Sequence, residues 1–105
     1  MPASYTEEEI ILCTYIARFD NKLMSESKIS SVRNRSIGSI KMKIQNIVAM
    51  LDEKGIERNP SLTALAGMPT GQVGRKTDWE VVSQLCLLDK KDHWKKCKEI
   101  LIGNS

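Results

Sequence analysis

The sequence contains few of the residues on which catalysis and disulfide-based stability most often depend. Its 105 residues include one histidine and three cysteines, and only 5% of them are aromatic. A core with so few rings must be built mainly from aliphatic side chains. The cysteines are odd in number, far apart and without a CxxC spacing, which favours reduced thiols over disulfides or a zinc site. This usage of cysteine is typical of a cytoplasmic protein.

Long hydrophobic runs are also missing from the chain. No apolar stretch reaches the roughly 18 residues that a membrane-spanning helix needs. The opening letters MPASYTEEE have none of the basic and apolar character of a signal peptide. We therefore expect a cytoplasmic protein without a membrane partner. Hydrophobic residues make up 41% and charged residues 28%, so residues 1–105 should fold as a single small domain.

Motifs for catalysis and metal binding are absent as well. His93, the sole histidine, stands among lysines, so we expect it on the surface. Nothing in the sequence matches an HExxH motif, a P-loop or a nucleophile elbow. Capping of a helix explains the glutamates at positions 7–9. We therefore expect no catalytic residue, no metal and no cofactor.

The charges that are present are unevenly distributed. The first 20 residues contain four acidic residues and one basic residue, whereas residues 21–50 contain six basic residues and one acidic residue. The net charge of +3 is too small to imply nucleic-acid binding without other support. A local concentration of positive charge is typical of a chain that contacts an anionic partner, although solvated lysines produce the same pattern.

Three helices are predicted in the first half of the chain. The letters TEEE form a capping box from Thr6 to Glu9, which starts a helix that should end near Asp20. A short second helix should begin after Ser25 or Ser27 and is too short to be stable without its neighbours. These two helices and the third form a predicted core over residues 6–52.

The third helix has the clearest pattern and should begin after the cap Ser36 and end near Leu51. One side of this helix is an aliphatic stripe that should face the core. The far side is small and amide-bearing, with a lysine on each flank of the stripe. The stripe consists of Ile37, Ile40, Ile44, Ile47, Val48 and Leu51, and the far side of Gly38, Met42, Gln45, Asn46 and Ala49.

The second half of the chain begins with a predicted loop over residues 53–76, in which PSLTALAG should form one helical turn. A second capping box, Thr77 to Glu80, should start another helix, and a last helix should end at Gly103. The fold class is therefore all-α, with four or five helices. The predicted core consists of Ile16, Phe19, Ile29, Ile40, Ile44, Ile47, Leu51 and Leu85.

The order of the first three helices is the outline of a helix-turn-helix protein. In that geometry the third helix lies in the major groove, and its first turn meets phosphate. Gln45 and Asn46 are the candidates for base contacts, because a side-chain amide can pair with adenine. The predicted DNA-binding residues are Arg33, Arg35, Ser36, Gly38, Ser39, Lys41, Met42, Lys43, Gln45 and Asn46.

Three stretches, YTEEEIILCTYI, RSIGSIKMKIQNIVAMLD and KTDWEVVSQL, resemble a helical domain at the N-terminus of bacterial HNH-type restriction endonucleases. The resemblance covers about residues 5–88 and implies a domain that helps to present DNA to a nuclease. It singles out Arg35, Ser36, Gly38, Ser39, Lys43 and Asn46. The His-rich HNH motif has no counterpart here, so nuclease activity is not implied, and Trp79 comes earlier than in the family's pattern.

Two functions from different classes follow from these patterns. The first is a DNA-binding domain without catalysis, acting as a regulator or as a targeting module of a restriction-like system. The second is a small protein-interaction module, such as a phage or mobile-element protein that binds a host partner through the acidic first helix or the face with Met42. A metal-free hydrolase finds almost no support.

Some of the same features also have purely structural or non-specific interpretations. In these, Gly38 permits close helix packing and Asn46 holds the long loop. The lysine-rich last helix, over residues 90–98, is most simply a solvated face, with polyanion contact as the alternative.

Overall fold

The computed structural model describes residues 5–62 and 73–103, with the backbone alone described at positions 73–77. These residues form helices and connecting turns and contain no strand. The predicted all-α fold is thus confirmed. None of the described helices combines the length and the apolar character needed to span a bilayer. The helices are α1 (Glu7–Arg18), α2 (Glu26–Arg33), α3 (Ile37–Glu53), α4 (Val73–Leu85) and α5 (Lys90–Gly103).

The predicted caps of α1 and α2 are present. The Glu9 amide donates to Thr6 Oγ1 at 3.2 Å, and the Thr6 amide donates to Glu9 Oε1 at 2.9 Å, which completes the capping box. Ser25, and not Ser27, caps α2 by accepting a hydrogen bond from the Lys28 amide at 3.1 Å. Both caps satisfy amides that the first turn of a helix leaves without partners.

Helix α1 lies at the centre of the fold. It packs against each of the other four helices, and residues 12–17 have no exposed surface at all. A helix that its neighbours cover on most sides shows only a weak contrast between an inner and an outer face. Ile16, the residue of α1 in the predicted core, is therefore only one of the residues that α1 buries.

The aliphatic stripe of α3 supplies much of the core. All eight predicted core residues are buried except Phe19, which is partly buried and packs against the others. Ile37 was also predicted to face inward, but 42% of its surface is exposed. Its side chain leans toward the N-terminus of α3, as helical side chains do. It stands at the first helical position, so it extends past the neighbours that cover the rest of the stripe.

The second half of the chain differs from the prediction at α4. This helix begins at Val73, so the loop predicted over 53–76 ends earlier, and Thr77 lies within the helix rather than at its cap. A capping-box pattern does not prevent a helix from starting further upstream, because no proline interrupts residues 73–77. The predicted helical turn in PSLTALAG falls mostly at 63–67, outside the described residues.

The connection that follows α3 is tied to the end of α1. The Asn59 amide donates to the Ala17 carbonyl at 2.9 Å, and Asn59 Nδ2 donates to the Ile16 carbonyl at 3.1 Å. These carbonyls belong to the last turn of α1, where the helix itself provides no donors. Asn59 therefore holds the start of this connection, a role that the sequence had suggested for Asn46.

His93 is buried, contrary to the prediction of a surface histidine. Its Nδ1 lies 3.1 Å from Arg18 Nη1, and its Nε2 lies 3.0 Å from the Ile11 carbonyl. Because a guanidinium can only donate, Nδ1 accepts from Arg18 and Nε2 donates to Ile11. Arg18 also donates to the carbonyls of Leu85 and Leu88, at 2.8 Å each. The pair thus joins α1, the end of α4 and α5.

We expect His93 to make stability depend on pH between 6.5 and 4. Burial, opposed in part by the hydrogen bond to Ile11 and reinforced by the charge of Arg18, lowers the pKa of His93 to about 4 from its ordinary value of 6.5. The unfolded chain takes up this proton first. The free energy of unfolding should therefore be highest above pH 6.5. It should fall by up to roughly 3 kcal/mol as the pH decreases from 6.5 to 4.

Urea unfolding across this pH interval measures the effect. The variant His93→Gln removes the titrating group and should flatten the dependence between pH 6.5 and the onset of carboxylate titration, even where it lowers stability at neutral pH. An equally steep dependence in the variant would assign the effect to other groups.

A second prediction concerns the packing of α3. Ile44 is 1% exposed, so Ile44→Ala should lower the free energy of unfolding by roughly 2–5 kcal/mol, because it leaves a cavity in the core. Met42→Ala on the opposite, exposed side of α3 is the matched control and should change stability by less than about 0.5 kcal/mol. Equal losses in chemical denaturation would mean that the two faces of α3 are misassigned.

Candidate nucleic-acid interface

A three-residue turn, residues 34–36, positions the start of α3. Asn34 adopts the left-handed conformation, with φ 55° and ψ 48°, and ends α2. The Ser30 hydroxyl donates to the Arg35 carbonyl across the turn. Ser36 then caps α3, as predicted, by accepting from the Ser39 amide at 3.1 Å. Local hydrogen bonds therefore fix the direction in which α3 leaves α2.

The two arginines beside this turn bind a glutamate of α1. Arg35 Nη2 lies 2.9 Å from Glu9 Oε1, and Arg33 Nε lies 3.3 Å from Glu9 Oε2. The side chains of Arg33 and Arg35 are 11% and 12% exposed, and that of Glu9 is only 5% exposed. One buried carboxylate thus bridges two guanidinium groups, which had been predicted to contact phosphate.

The Glu9 carboxyl is ionised at neutral pH in spite of its burial. Burial by itself would raise the pKa of Glu9. The hydrogen bonds from Arg35, the Thr6 amide and Arg33 outweigh it and hold the pKa below its ordinary value. The carboxylate is therefore a fixed negative charge that the two arginines and the cap of α1 share.

A tyrosine and a lysine extend this cluster toward α4. The Tyr5 ring has Arg35 Cζ at 4.0 Å and Lys43 Nζ at 4.8 Å from its centroid. The Tyr5 hydroxyl lies 2.7 Å from Ser39 Oγ. Lys43 Nζ also lies 2.8 Å from Asp78 Oδ2. These contacts join the start of α1, the start of α3 and α4 into one polar cluster, which we call the Glu9 cluster.

The ten predicted DNA-binding residues therefore divide into three groups. The first group has partners within the chain and belongs to the Glu9 cluster. The second group is exposed on α3 or at its cap, and the third is partly buried along the outer side of α3. The groups are Arg33, Arg35, Ser39 and Lys43; Ser36, Gly38, Lys41 and Met42; and Gln45 and Asn46.

Gly38 does not serve close packing within the chain. A Cβ atom built at this position would meet no atom of another described element within 4 Å, so the packing interpretation is wrong for the described residues. Asn46 has a buried Oδ1 that accepts no hydrogen bond from the described residues. A buried polar atom without a partner is unfavourable. Gly38 thus leaves open space beside α3, whereas Asn46 is less accessible to a ligand than Gln45.

Sequence reasoning missed three members of the Glu9 cluster: Tyr5, Glu9 and Asp78. Glu9 had been explained by capping alone, which the structure shows to be half of its role. A signal was available, because Glu9 stands three and seven residues before Leu12 and Ile16 on the buried side of α1. Asp78 stands four and seven residues before the buried Val82 and Leu85 in the same way.

Possible metal ligands and the clefts of the described residues are the remaining features of the surface. They contain no group of three or more histidine, cysteine or acidic side chains that could hold a metal ion. One cleft of about 450 Å³ has Asp20, Arg58 and Lys90 in its lining. Lys90 pairs with Asp20 at 2.9 Å, and Arg58 pairs with Asp52 at 3.0 Å. The charges of this cleft are thus largely balanced.

Comparisons with protein-family models, with curated proteins and with solved structures find no match for the chain.

We expect the Glu9 cluster to stabilise the fold. Glu9→Gln removes the buried anion that two poorly exposed guanidinium groups share and should lower the free energy of unfolding by roughly 3 kcal/mol. Glu8→Gln is the matched control, because Glu8 is 56% exposed and reaches only Arg33, at 3.6 Å. It should cost less than about 1 kcal/mol. Chemical denaturation at neutral pH compares the two, and equal losses would contradict a structural role for Glu9.

Proposed function

We propose that the chain binds duplex DNA through the exposed side of α3 and does not itself catalyse a reaction. The observation that carries the proposal is the charge and shape of this side. No acidic residue occurs between Glu26 and Asp52, and apart from Ile37 the exposed residues before the last turn of α3 are small or flexible: Gly38, Lys41 and Met42. A helix surface whose first turns carry no carboxylate is what a phosphate-lined groove accepts, and the exposed Asp52 and Glu53 keep the last turn of α3 away from phosphate.

The first turn of α3 provides the closest approach. The amides of Ile37 and Gly38 have no acceptor among the described residues, because they precede the first hydrogen bond of the helix. Such amides, together with the helix dipole, favour an anion. Gly38 adds no side chain beside these amides, and no other described element lies within 4 Å of where its Cβ would be.

The side chains further along α3 have distinct proposed roles. Lys41 is exposed and has no ion pair within the described part of the chain, so it is the proposed phosphate contact. Gln45 is partly exposed on the same side, one turn beyond Lys41. It is the proposed base contact, because its amide can both donate and accept hydrogen bonds.

In this proposal Arg33 and Arg35 do not contact DNA, because they are bound to Glu9 in the Glu9 cluster. Arg33 and Arg35 set the position of α3 on α1. Glu8, which is exposed beside Arg33, would repel phosphate at that edge. The DNA backbone is therefore expected along the edge of α3 that carries Lys41.

The resemblance to the helical domain of HNH-type restriction endonucleases supports the same proposal. A domain of that kind would act as a regulator or as a targeting module of a restriction-like system, in a bacterium or phage. Four of the residues that the resemblance singles out lie at the start of α3 or in the turn before it: Arg35, Ser36, Gly38 and Ser39.

A protein partner is the second candidate, and the exposed apolar residues of α3 favour it. Met42 is 58% exposed and Ile37 is 42% exposed, both on α3. Methionine is flexible and is common on surfaces that bind helices of other proteins. Such a contact would depend on apolar burial and only weakly on salt, in contrast to phosphate binding.

Binding to duplex DNA at two salt concentrations tests the proposal. Lys41→Ala should lower the magnitude of the salt dependence, log K against log salt, by about 1, similarly on all sequences. Lys22→Ala changes the net charge equally at an exposed position between α1 and α2 and should leave this slope unchanged. Fluorescence anisotropy on a preferred and a scrambled duplex measures both variants.

The same titrations test the proposed base contact. Gln45→Ala should reduce discrimination between the preferred and the scrambled duplex by about 1–3 kcal/mol while leaving the salt slope intact. Absence of DNA binding by the folded protein would contradict the proposal. A partner protein whose binding is lost in Met42→Ala but kept in Lys41→Ala would establish the second candidate instead.

A further inference from the structure

The last helix carries a row of lysines on its exposed side. Lys91, Lys95 and Lys98 are spaced four and three residues apart, so they lie on one side of α5 over a length of about 10 Å. All three are exposed. The opposite side of α5 is buried in the core through His93 and Ile100. We call these three residues the lysine row.

The lysines of the row are not neutralised by ion pairs, in contrast to Arg33, Arg35 and Lys43 near α3. None of its members forms an ion pair with a described residue, whereas the neighbouring Lys90 pairs with Asp20 at 2.9 Å. The acidic residues of α5, Asp92 and Glu99, flank the row but reach none of its ammonium groups within 4 Å. Five lysines against these two carboxylates leave α5 strongly basic.

The arrangement of charge around α3 makes a second cationic surface necessary for firm DNA binding. Arg33, Arg35 and Lys43 are engaged with Glu9 and Asp78. Within α3, only Lys41 is left as an exposed cation. Non-specific affinity comes almost entirely from the number of phosphates that a protein neutralises. One lysine and two helix amides would provide little of it.

We infer that the lysine row contacts the phosphate backbone of duplex DNA, independently of base sequence. This inference rests on the proposed function and adds a second contact surface to it. Helices α3 and α5 both pack on α1 and make little contact with each other. Substitutions in the lysine row therefore leave the surface of α3 unchanged, and the two surfaces can be tested separately.

A membrane surface is a poorer fit for the lysine row than a nucleic acid. A helix that lies on a bilayer needs an exposed apolar face beside its basic face. In α5 the apolar face is covered by α1, and Ile102 is the single large apolar residue that α5 exposes among the described residues. The lysine row thus lacks the adjacent apolar surface that a helix inserts into a bilayer.

The test compares the intact chain with the triple variant Lys91→Gln/Lys95→Gln/Lys98→Gln on random-sequence duplex. If each lysine neutralises one phosphate, the slope of log K against log salt should lose about 2.7 in magnitude. The factor by which the affinity falls between about 50 and about 200 mM salt should then be about 40 times smaller for the variant than for the intact chain. The charge-conserving variant Lys91→Arg/Lys95→Arg/Lys98→Arg is the matched control and should keep the original slope.

Each outcome decides between the two surfaces. Circular dichroism first establishes that both triple variants fold. An unchanged salt slope in the glutamine variant, with DNA binding still sensitive to Lys41→Ala, would overturn this inference and leave the proposed function standing. DNA binding that depends on the lysine row but not on α3 would support the contact by the lysine row and overturn the proposed role of α3. Row-dependent binding to vesicles of anionic phospholipid without row-dependent binding to duplex would overturn the inference as well.

Discussion

The fold depends on how one buried carboxylate, that of Glu9, is neutralised. Placed at the start of the central helix α1 and only 5% exposed, it would be highly unfavourable without cations. Arg33 supplies one from the end of α2, and Arg35 supplies the other from the turn between α2 and α3. The same carboxylate accepts the Thr6 amide that begins α1. A single ionic group thus fixes where α1 starts, where α2 ends and how α3 is oriented.

This use of charge changes how the basic half of the chain is interpreted. The excess of lysine and arginine over residues 21–50 indicated an anionic partner, and a large part of that excess turns out to have partners inside the molecule: Glu9 for Arg33 and Arg35, and Asp78 for Lys43. Within residues 21–50 the positive charge that remains exposed lies on Lys22, Lys28 and Lys41, and α5 adds its lysines. The net charge of a segment therefore gives only the upper limit of the charge that it can expose. Ion pairing within the fold decides which of its charged residues are left to form a charged surface.

Much of the fold could be predicted from local sequence, because helix caps and apolar spacing act over a few residues. Thr6, Ser25 and Ser36 each cap a helix as expected, and the stripe from Ile40 to Leu51 is buried. The prediction failed where distant elements decide the outcome. His93 is buried because α5 docks on α1 beside Arg18, and no pattern around His93 shows that neighbour.

The sequence by itself determined the helical class, the caps and the inner side of α3, since each follows from spacing and backbone hydrogen bonding. Only the tertiary structure decided which polar residues form ion pairs within the fold and which remain exposed on its surface. Arg35 and Lys41 have similar charge and stand six residues apart, but one is held by Glu9 of α1 and the other is exposed. The difference arises from residues 26 or more positions away, and a sequence pattern carries no record of such pairings.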